Sequence, residues 1–348
     1  MRNYREHLIT QGTTIKQALS QLNALAADAI LFVVDESHRL IGSLTDGDVR
    51  RGLISGLGVE EIVDAFIQPN PKYISKHQYA LPEIIELRKG NFKIIPVLDS
   101  KHRVVNVVNF RHFKSYLPLD AIIMAGGRGS RLRPMTDTIP KPLLKIGAKP
   151  IIEYNIDRLV QFGVDDFWIS LRYLGEQVEN HFGNGANKGI NIQYVWEDTP
   201  LGTIGAASKI KSFQHDYVLV TNSDVLTTLD YEDFFLDFLE KKADMAVATI
   251  PYAVDIPYAV LETDNHQVLS FKEKPTYTYY SNAGIYLLKR EVLEHIPREA
   301  HYDSTDLMQH LINTGRRLIS YPMRQYWLDI GKPEDFERAQ EDIKHLDL

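Results

Sequence analysis

A glycine-rich loop crowded with basic side chains is the part of this chain best suited to chemistry. It follows the apolar run of residues 119–124 and reads AGGRGSRLRPMTDTIPKP over residues 125–142. Its glycines let backbone N–H groups approach an anion without a clash from Cβ, at Gly126, Gly127 and Gly129. The loop carries four positively charged side chains, which is more than a single phosphate requires: Arg128, Arg131, Arg133 and Lys141. The loop predicts a binding site for a polyphosphate such as a nucleoside triphosphate.

The spacing within this loop excludes two common nucleotide-binding motifs. A Rossmann fingerprint requires G-x-G-x-x-G, but Leu132 occupies the third glycine position after Gly127 and Gly129. A Walker loop requires G-K-[ST], which does not occur in the sequence. The structural alternative is a glycine-rich turn with solvated arginines, which would need no fixed spacing of Arg, Pro and Lys.

An acidic side chain in the second half is placed where a metal ligand would be expected. The apolar run of residues 217–220 predicts a strand, and Asp224 follows soon after its end. A carboxylate at the carboxyl end of a central strand faces the ligand crevice of an open α/β sheet, and hard divalent cations prefer oxygen ligands. We therefore predict that Asp224 binds a metal ion.

The elements that would position these side chains form an α/β pattern from Leu119 onward. Apolar strand-like runs alternate with helical patterns, as in the helix predicted over residues 151–162, which ends at Gly163. We predict a Rossmann-like mixed sheet with helices on both faces and its site at the carboxyl ends of the strands.

The first third of the chain contains an internal repeat. Residues 34–41 align with residues 98–105 at a period of 64, since Asp35 and Arg39 correspond to Asp99 and Arg103. Each copy predicts a strand, a polar turn and a second strand, with a helix nearby at residues 15–26 or 81–89. We predict two domains, over residues 1–117 and 118–348.

This repeat resembles a pair of CBS modules, a smaller α/β arrangement covering roughly Gly12 to Tyr116. The first module carries the G-x-x-T-x-x-D pattern, and the resemblance implies that Thr45 and Asp48 bind a regulatory adenine nucleotide. The second module has lost the pattern, with Asn109 and His112 at the equivalent positions. The alternatives are that Thr45 and Asp48 cap a helix, and that the pair serves as a dimerisation platform in a homo-oligomer.

Composition limits the partners of this chain. Of its 348 residues, 39 are Lys or Arg and 46 are Asp or Glu, and the net charge of −7 argues against nonspecific binding to nucleic acid or anionic membranes. It contains no cysteine, which excludes disulfides and thiolate metal sites. Its start, residues 1–7, lacks an apolar signal core, and no stretch is long enough for a membrane span. We expect a cytoplasmic protein.

The glycine loop resembles the signature of sugar-1-phosphate nucleotidylyltransferases, G-G-x-G-[ST]-R-L-x-P-x-T followed by K-P, at every specified position. The resemblance extends in the same order to residue 336. It implies that Arg131 and Lys141 are catalytic. It also implies that the nucleotide contacts Ala125, Gly126, Gly127, Gly129, Ser130, Glu197 and Gly202.

Glu197 favours GTP as the nucleotide. It precedes a P-L-G-T-x-G-A segment similar to that of guanylyltransferases, at a place where uridylyl- and thymidylyltransferases commonly have glutamine. A carboxylate only accepts hydrogen bonds, and guanine alone among the common bases offers adjacent N1–H and N2–H₂ donors. Alternatively, Glu197 would cap the helix at Thr203 or bind a lysine.

Four further positions follow from the same resemblance. Asp329, in a segment similar to W-x-D-I-G-x-P, would be the second ligand of Mg²⁺ or Mn²⁺ beside Asp224; its structural alternative is turn formation before Gly331. The E-K-P triplet implies that Glu273 and Lys274 bind the sugar phosphate. Asn282 is a further sugar-contact candidate.

These residues together predict an enzyme that transfers a nucleoside monophosphate, GMP in the favoured case, from an NTP to a sugar-1-phosphate and releases pyrophosphate. Such an activity would supply precursors of surface glycans. Two alternatives stay open: a cytidylyl- or other nucleotidylyltransferase with a different phosphate acceptor, and a catalytically inactive nucleotide-sensing protein. The sequence does not identify the sugar.

Overall fold

The computed structural model describes residues 4–90 and 92–348, which form two compact units. The first unit comprises Met1–Pro118, Val160–Asp165 and Ala186–Ile190. The second comprises Leu119–Leu159, Asp166–Gly185 and Asn191–Leu348. Sequence patterns place a boundary after residue 117 and do not anticipate the two later segments that cluster with the first unit. Residues 1–3, on which the expectation of no signal core partly rests, lie outside the described residues.

The first unit contains two small sheets, and each sheet contains one strand, turn and strand copy of the repeat. The sheet of order β1-β2-β3-β4 has strands β1 (Leu8–Thr10), β2 (Ile30–Val34), β3 (Leu40–Thr45) and β4 (Gln68–Pro69). The sheet of order β5-β6-β7 has strands β5 (Ile74–Ser75), β6 (Ile94–Leu98) and β7 (Val104–Asn109). The helices are α1 (Ile15–Leu25), α2 (Asp46–Ile54) and α3 (Leu81–Lys89). The two helices predicted over residues 15–26 and 81–89 are therefore confirmed.

The turns of the two copies have the same hydrogen bonds. Asp35 accepts from the backbone N of Arg39 at 2.8 Å and from its Nε at 2.7 Å. Asp99 accepts from the same two atoms of Arg103 at 2.9 and 2.8 Å. The turns also join each other through an antiparallel bridge between Arg39 and Arg103, flanked by two reciprocal backbone hydrogen bonds of 3.0 Å. The 64-residue repeat is thus confirmed as a pair of equivalent modules.

The second unit is built on a seven-stranded sheet of order β12-β11-β8-β13-β18-β15-β19. Its strands are β8 (Leu119–Met124), β11 (Asp166–Leu171), β12 (Asn191–Trp196), β13 (Tyr217–Asn222), β15 (Met245–Asp255), β18 (Thr276–Lys289) and β19 (Leu318–Pro322). Strands β8, β11, β12 and β13 are parallel, whereas β18 is antiparallel to both of its neighbours. The predicted mixed sheet is confirmed.

Short strand pairs and five α-helices, together with short 3₁₀ helices, complete this unit. The pairs are β9 (Lys145–Ile146) with β10 (Lys149–Pro150), β14 (Val225–Thr227) with β20 (Trp327–Asp329), and β16 (Val260–Asp264) with β17 (Gln267–Lys272). The helices are α4 (Ile151–Gln161), α5 (Gly175–Phe182), α6 (Tyr231–Glu240), α7 (Ser304–Asn313) and α8 (Pro333–Asp342). In the described ranges 4–90 and 92–348, no helix combines the length and apolarity needed to span a bilayer.

Both faces of the large sheet are buried. Ile122 and Val218 pack with Leu307 of α7 in one apolar cluster. Successive residues of a strand point to opposite faces, so Ala121 and Leu219 point to the other face, where they are also buried. Burial on both sides fixes the register of the parallel strands, because a slip of one residue would exchange the two faces. The carboxyl ends of these strands are therefore held at one edge.

Candidate active site

A cavity of about 370 Å³ lies at the carboxyl ends of β8, β11, β12 and β13. The glycine-rich loop begins directly after β8 and forms one wall. Ten of the residues predicted from the sequence line this cavity: Ala125, Gly126, Gly127, Gly129, Ser130, Arg131, Lys141, Glu197, Gly202 and Asp224. The structure thus brings the predicted phosphate loop, one predicted metal ligand and the predicted base contact together in one place.

The three glycines of the loop are required for different reasons. A Cβ on Gly126 would lie 2.6 Å from Oε1 of Glu197, and one on Gly129, whose φ is 61°, would lie 2.9 Å from Cβ of Lys141. These two glycines permit close packing within the site itself. A Cβ on Gly127 would meet no atom within 4 Å among the described residues. Gly127 is therefore the position at which a missing side chain leaves room for a ligand.

Strand pairing brings the two predicted metal ligands together. Asp224 follows β13 and immediately precedes β14, which pairs antiparallel with β20 so that Val225 lies opposite Asp329. The backbone N of Ile330 donates to the carbonyl of Asp224 at 3.0 Å. The two aspartates are consequently neighbours, although they are far apart in the sequence.

The electrostatics around these carboxylates fit a cation. Burial raises the pKa of Asp329, and the adjacent charge of Asp224 raises it further. Lys141 is buried and forms an ion pair with Oδ2 of Asp224. Oδ1 of Asp224 is buried and has no hydrogen-bond partner in the part of the chain that the structure describes. Two adjacent carboxylates, one with an unsatisfied oxygen, are the donor set that a hard divalent cation prefers.

Arg131 lies beside this carboxylate pair. Both of its terminal nitrogens lie 3.4 Å from the position that a Cβ on Gly331 would occupy, and Oδ2 of Asp329 is equally close to that position. The Arg131 side chain makes no hydrogen bond or ion pair with any described residue, so its guanidinium donors are available to a ligand in the cavity. Asp329 therefore does more than form the turn before Gly331, because its carboxylate lies near the guanidinium of Arg131, which belongs to the glycine-rich loop.

Glu197 has a structural contact in addition to its place in the cavity. Its Oε2 accepts a hydrogen bond from the backbone N of Leu201 at 3.1 Å, which stabilises the loop that follows β12. The structural alternative anticipated a cap at Thr203 or a lysine, and the observed contact is with neither. Oε1 packs against Gly126 and stays at the cavity wall. The contact of Glu197 with a base stays a prediction.

Close packing within the second unit requires glycine at position 202. Its φ is 80°, and a Cβ there would lie 2.6 Å from the carbonyl oxygen of Tyr302. The requirement for glycine at this lining position thus comes from close packing on the loop before α7. Its contact with a nucleotide stays a prediction.

Two cavity residues with ionisable side chains, Arg172 and His301, were missed in the sequence. Arg172 directly follows β11, and His301 lies in the loop before α7. The rule that identified Asp224, a polar residue just after a buried strand, applies equally to Arg172. His301 gives no comparable signal, because no strand or motif adjoins it.

The three predicted sugar-phosphate residues do not line the cavity. Glu273 and Lys274 are exposed in the turn between β17 and β18. Asn282, on β18, donates to the hydroxyl of Tyr286 at 2.8 Å and accepts from the backbone N of Gly284 at 2.9 Å. Their binding to a sugar phosphate stays a prediction.

In the first unit, Thr45 and Asp48 form a capping box at the start of α2. The carboxylate of Asp48 accepts from the backbone N and the hydroxyl of Thr45 at 2.8 and 2.6 Å, and it pairs with Arg51 at 2.5 Å. Burial acts to raise the pKa of Asp48, but these hydrogen bonds and the charge of Arg51 outweigh it and lower the pKa. The helix-capping alternative is therefore observed, and adenine-nucleotide binding at these residues stays a prediction.

We expect Asp48→Asn to destabilise the first unit by about 1–2 kcal/mol at neutral pH, because a helix cap and a charged hydrogen bond are lost. A carboxyl with a lowered folded-state pKa stabilises the fold above its unfolded value of 3.8 and loses that contribution as the pH falls through the folded-state pKa. The difference from the wild type should therefore shrink below about pH 4. Urea unfolding between pH 3 and pH 7 measures it. The exposed Asp46→Asn is the control, and a difference independent of pH would contradict the expectation.

Comparison with known proteins finds a matching family model in each of the two parts of the chain. The nucleotidyl transferase family model matches residues 120–345, and the CBS domain model matches residues 6–55. The chain belongs to the nucleotidyl transferase family. The CBS match covers the first copy of the repeat, and the shared turn geometry extends the same arrangement to the second.

Two relatives and a solved structure illustrate the similarity. The chain is 33% identical to a UTP–glucose-1-phosphate uridylyltransferase from Synechocystis sp., over 64% of this chain and 62% of that protein. It is 30% identical to a D-glycero-alpha-D-manno-heptose 1-phosphate guanylyltransferase from Aneurinibacillus thermoaerophilus, over 65% and 99%. A crystal structure assigned as a glucose-1-phosphate thymidylyltransferase from Bacillus anthracis is 25% identical over 66% and 97%, with a TM-score of 0.54. The chain thus spans less than two thirds of the first relative and nearly all of the other two.

Proposed function

We propose that the second unit transfers GMP from GTP to a sugar-1-phosphate, giving a GDP-sugar and pyrophosphate for glycan precursor synthesis. The observation that carries the proposal is the convergence of the phosphate loop with Arg131, Lys141 and the Asp224–Asp329 pair at one edge of the sheet. The names of the two relatives, both sugar-phosphate nucleotidylyltransferases, support the reaction class.

In this reaction a phosphate oxygen of the sugar-1-phosphate attacks the α-phosphorus of the triphosphate. The new O–P bond forms as the bond between the α-phosphorus and the β-bridging oxygen breaks, and pyrophosphate leaves with that electron pair. The nucleophile is already an anion, so no general base is required. The protein's task is to align two polyanions and to neutralise the charge that develops.

Each residue of the site has a separate role in this alignment and charge neutralisation. Gly127 leaves space for phosphates near the backbone of the loop, Arg131 binds the transferring and leaving groups, and Lys141 binds the phosphates beside Asp224. Asp224 and Asp329 would hold Mg²⁺ or Mn²⁺, which neutralises phosphate charge when bound.

GTP is favoured over other triphosphates because Glu197 stands at the cavity wall as an acceptor only. The relatives named above use different nucleotides, a uridylyl group in one and a guanylyl group in the other, so the family alone does not select the base. The proposed acceptors are hexose, hexosamine and heptose phosphates.

Incubation of the full chain with magnesium, each common triphosphate and a panel of sugar-1-phosphates tests the proposal. We expect pyrophosphate release with GTP and a sugar-1-phosphate and little with the other triphosphates. Turnover that requires CTP and a polyol or amino-alcohol phosphate would support the cytidylyltransferase alternative. Binding of nucleotides without turnover would support a sensing protein and overturn the proposal.

Gly127→Ala should leave the fold intact and impair phosphate binding. The added methyl meets no described protein atom, so we expect a stability change within about 0.5 kcal/mol. It would occupy the space into which phosphates bind, and a displacement of about 1 Å would lower turnover about 100-fold. Pyrophosphate release and melting temperature measure the two effects. Gly58→Ala, in equally open space in the first unit, is the matched control, and wild-type turnover in Gly127→Ala would contradict the phosphate role.

A further inference from the structure

Two adjacent parallel strands of the cavity wall end in side chains of opposite charge. In the pairing of β11 with β12, Leu171 lies opposite Trp196. The next residue on each strand is Arg172 and Glu197, so these two are neighbours across strands spaced about 4.8 Å apart. Both line the cavity.

These neighbours do not form an ion pair. Glu197 donates its backbone N–H to the carbonyl of Leu171 at 2.9 Å, and its carboxylate is held by Leu201 and packed against Gly126. The side chain of Arg172 makes no hydrogen bond or ion pair within residues 4–90 and 92–348. An acceptor and a set of donors thus stand side by side at the cavity without satisfying each other. The carboxylate and the guanidinium are therefore positioned to bind a ligand that presents both hydrogen-bond donors and acceptors.

Guanine is the base whose edge matches this pair. Its N1–H and N2–H₂ donate, and its adjacent O6 and N7 accept. A carboxylate only accepts and a guanidinium only donates, and a bidentate contact of arginine with O6 and N7 is the commonest specific contact with this base. Adenine has a donor in place of O6, and the pyrimidines have no N7.

We propose that Arg172 is the residue that selects guanine, through a bidentate contact with O6 and N7, while Glu197 accepts from N1–H and N2–H₂. This inference rests on the proposed function and adds a second specificity residue to it. Position separates Arg172 from the proposed phosphate site: Arg172 directly follows β11, next to Glu197 directly after β12, whereas Lys141 pairs with Asp224 after β13, on the other side of β8.

Atom-deleted nucleotides test the contact directly. The specificity constant kcat/KM is measured with GTP and with 7-deaza-GTP, which lacks N7, for the wild type and for Arg172→Ala. Loss of a bidentate contact should lower the value for GTP about 5- to 150-fold in the variant. In the wild type 7-deaza-GTP should be a poorer substrate than GTP, and this preference should disappear in Arg172→Ala. ITP, which lacks the N2 amine read by Glu197, should carry the same penalty in both proteins.

Arg128→Ala is the matched control for loss of a positive charge. Its guanidinium lies 5.5 Å from the ring centroid of Tyr173, and Arg128 does not line the cavity. We expect the wild-type preference between GTP and 7-deaza-GTP in this variant.

The outcomes separate this inference from the proposed function. A wild type that uses no GTP with any sugar phosphate overturns the proposed function. A wild type that uses GTP and 7-deaza-GTP equally well overturns only the role of Arg172, and this comparison needs no variant to fold. Equal loss with every triphosphate in Arg172→Ala would make Arg172 a phosphate contact and would also overturn the inference.

Discussion

Replacement of Asp224 by asparagine should lower pyrophosphate release about 1,000-fold or more. A metal ion that stabilises transition-state charge is worth several kcal/mol, and each 1.36 kcal/mol corresponds to a tenfold change in rate. Asparagine keeps the shape of the side chain but removes the charge and one of the two anionic oxygens. The remaining acid, Asp329, would hold a divalent cation much more weakly.

The fold should survive this substitution. Lys141 would lose its ion pair with Asp224. The carboxylate of Asp329 would remain, and it interacts electrostatically with both Lys141 and Arg131. The pKa of Asp329 should fall, because the neighbouring negative charge that raises it is gone. A counter-charge for the buried lysine is therefore retained.

Steady-state pyrophosphate release and thermal unfolding, each with and without Mn²⁺, measure these effects. We expect Mn²⁺ to raise the melting temperature of the wild type and not that of Asp224→Asn, since a ligand that binds only the folded state stabilises it. Asp198→Asn, which alters an exposed carboxylate paired with Lys209, is the control. Retained turnover, or an unchanged response to Mn²⁺, would remove the metal role from Asp224.

The parts of the site that sequence predicted best are local. The glycine loop is one continuous segment, and its chemistry follows from residue types at fixed spacing. Asp224 was found from its position after a buried run, which requires only that the run be a strand of an open α/β sheet. The convergence of Asp329 with Asp224 depends instead on the pairing of β14 with β20, a contact between distant segments that no local pattern encodes.

The same distinction explains what the sequence left out. The sequence did not predict that Arg172 and Glu197 lie side by side, because their adjacency depends on the register in which β11 and β12 pair, and that register is set by burial on both faces of the sheet. The bond from Leu201 to Glu197 depends on the conformation of the loop after β12, which propensity does not determine. For Thr45 and Asp48, one pattern serves both a capping box and a nucleotide contact, so the residues alone could not separate these uses.

Arg131→Lys should lower kcat about 100- to 1,000-fold, the effect of removing one preorganised donor to a transition-state anion. The guanidinium of Arg131 presents two terminal nitrogens at Gly331 beside Asp329, and it has no competing partner among the described side chains. Lysine offers one compact ammonium on a flexible stem and cannot reproduce a bidentate contact. Charge is conserved, so weak binding through long-range attraction should persist.

The size of this effect on kcat relative to KM identifies the role of the guanidinium. A contact made mainly in the transition state lowers kcat and kcat/KM together, whereas a contact made equally with bound substrate raises KM alone. Initial rates over a range of GTP concentrations distinguish the two. Arg133→Lys, in the same loop but exposed and paired with Asp137 at 3.2 Å, is the control and should retain wild-type rates. A kcat near the wild-type value in Arg131→Lys would place this arginine away from the reacting phosphate, because a bidentate contact with the transferring phosphoryl group requires the planar guanidinium that lysine lacks.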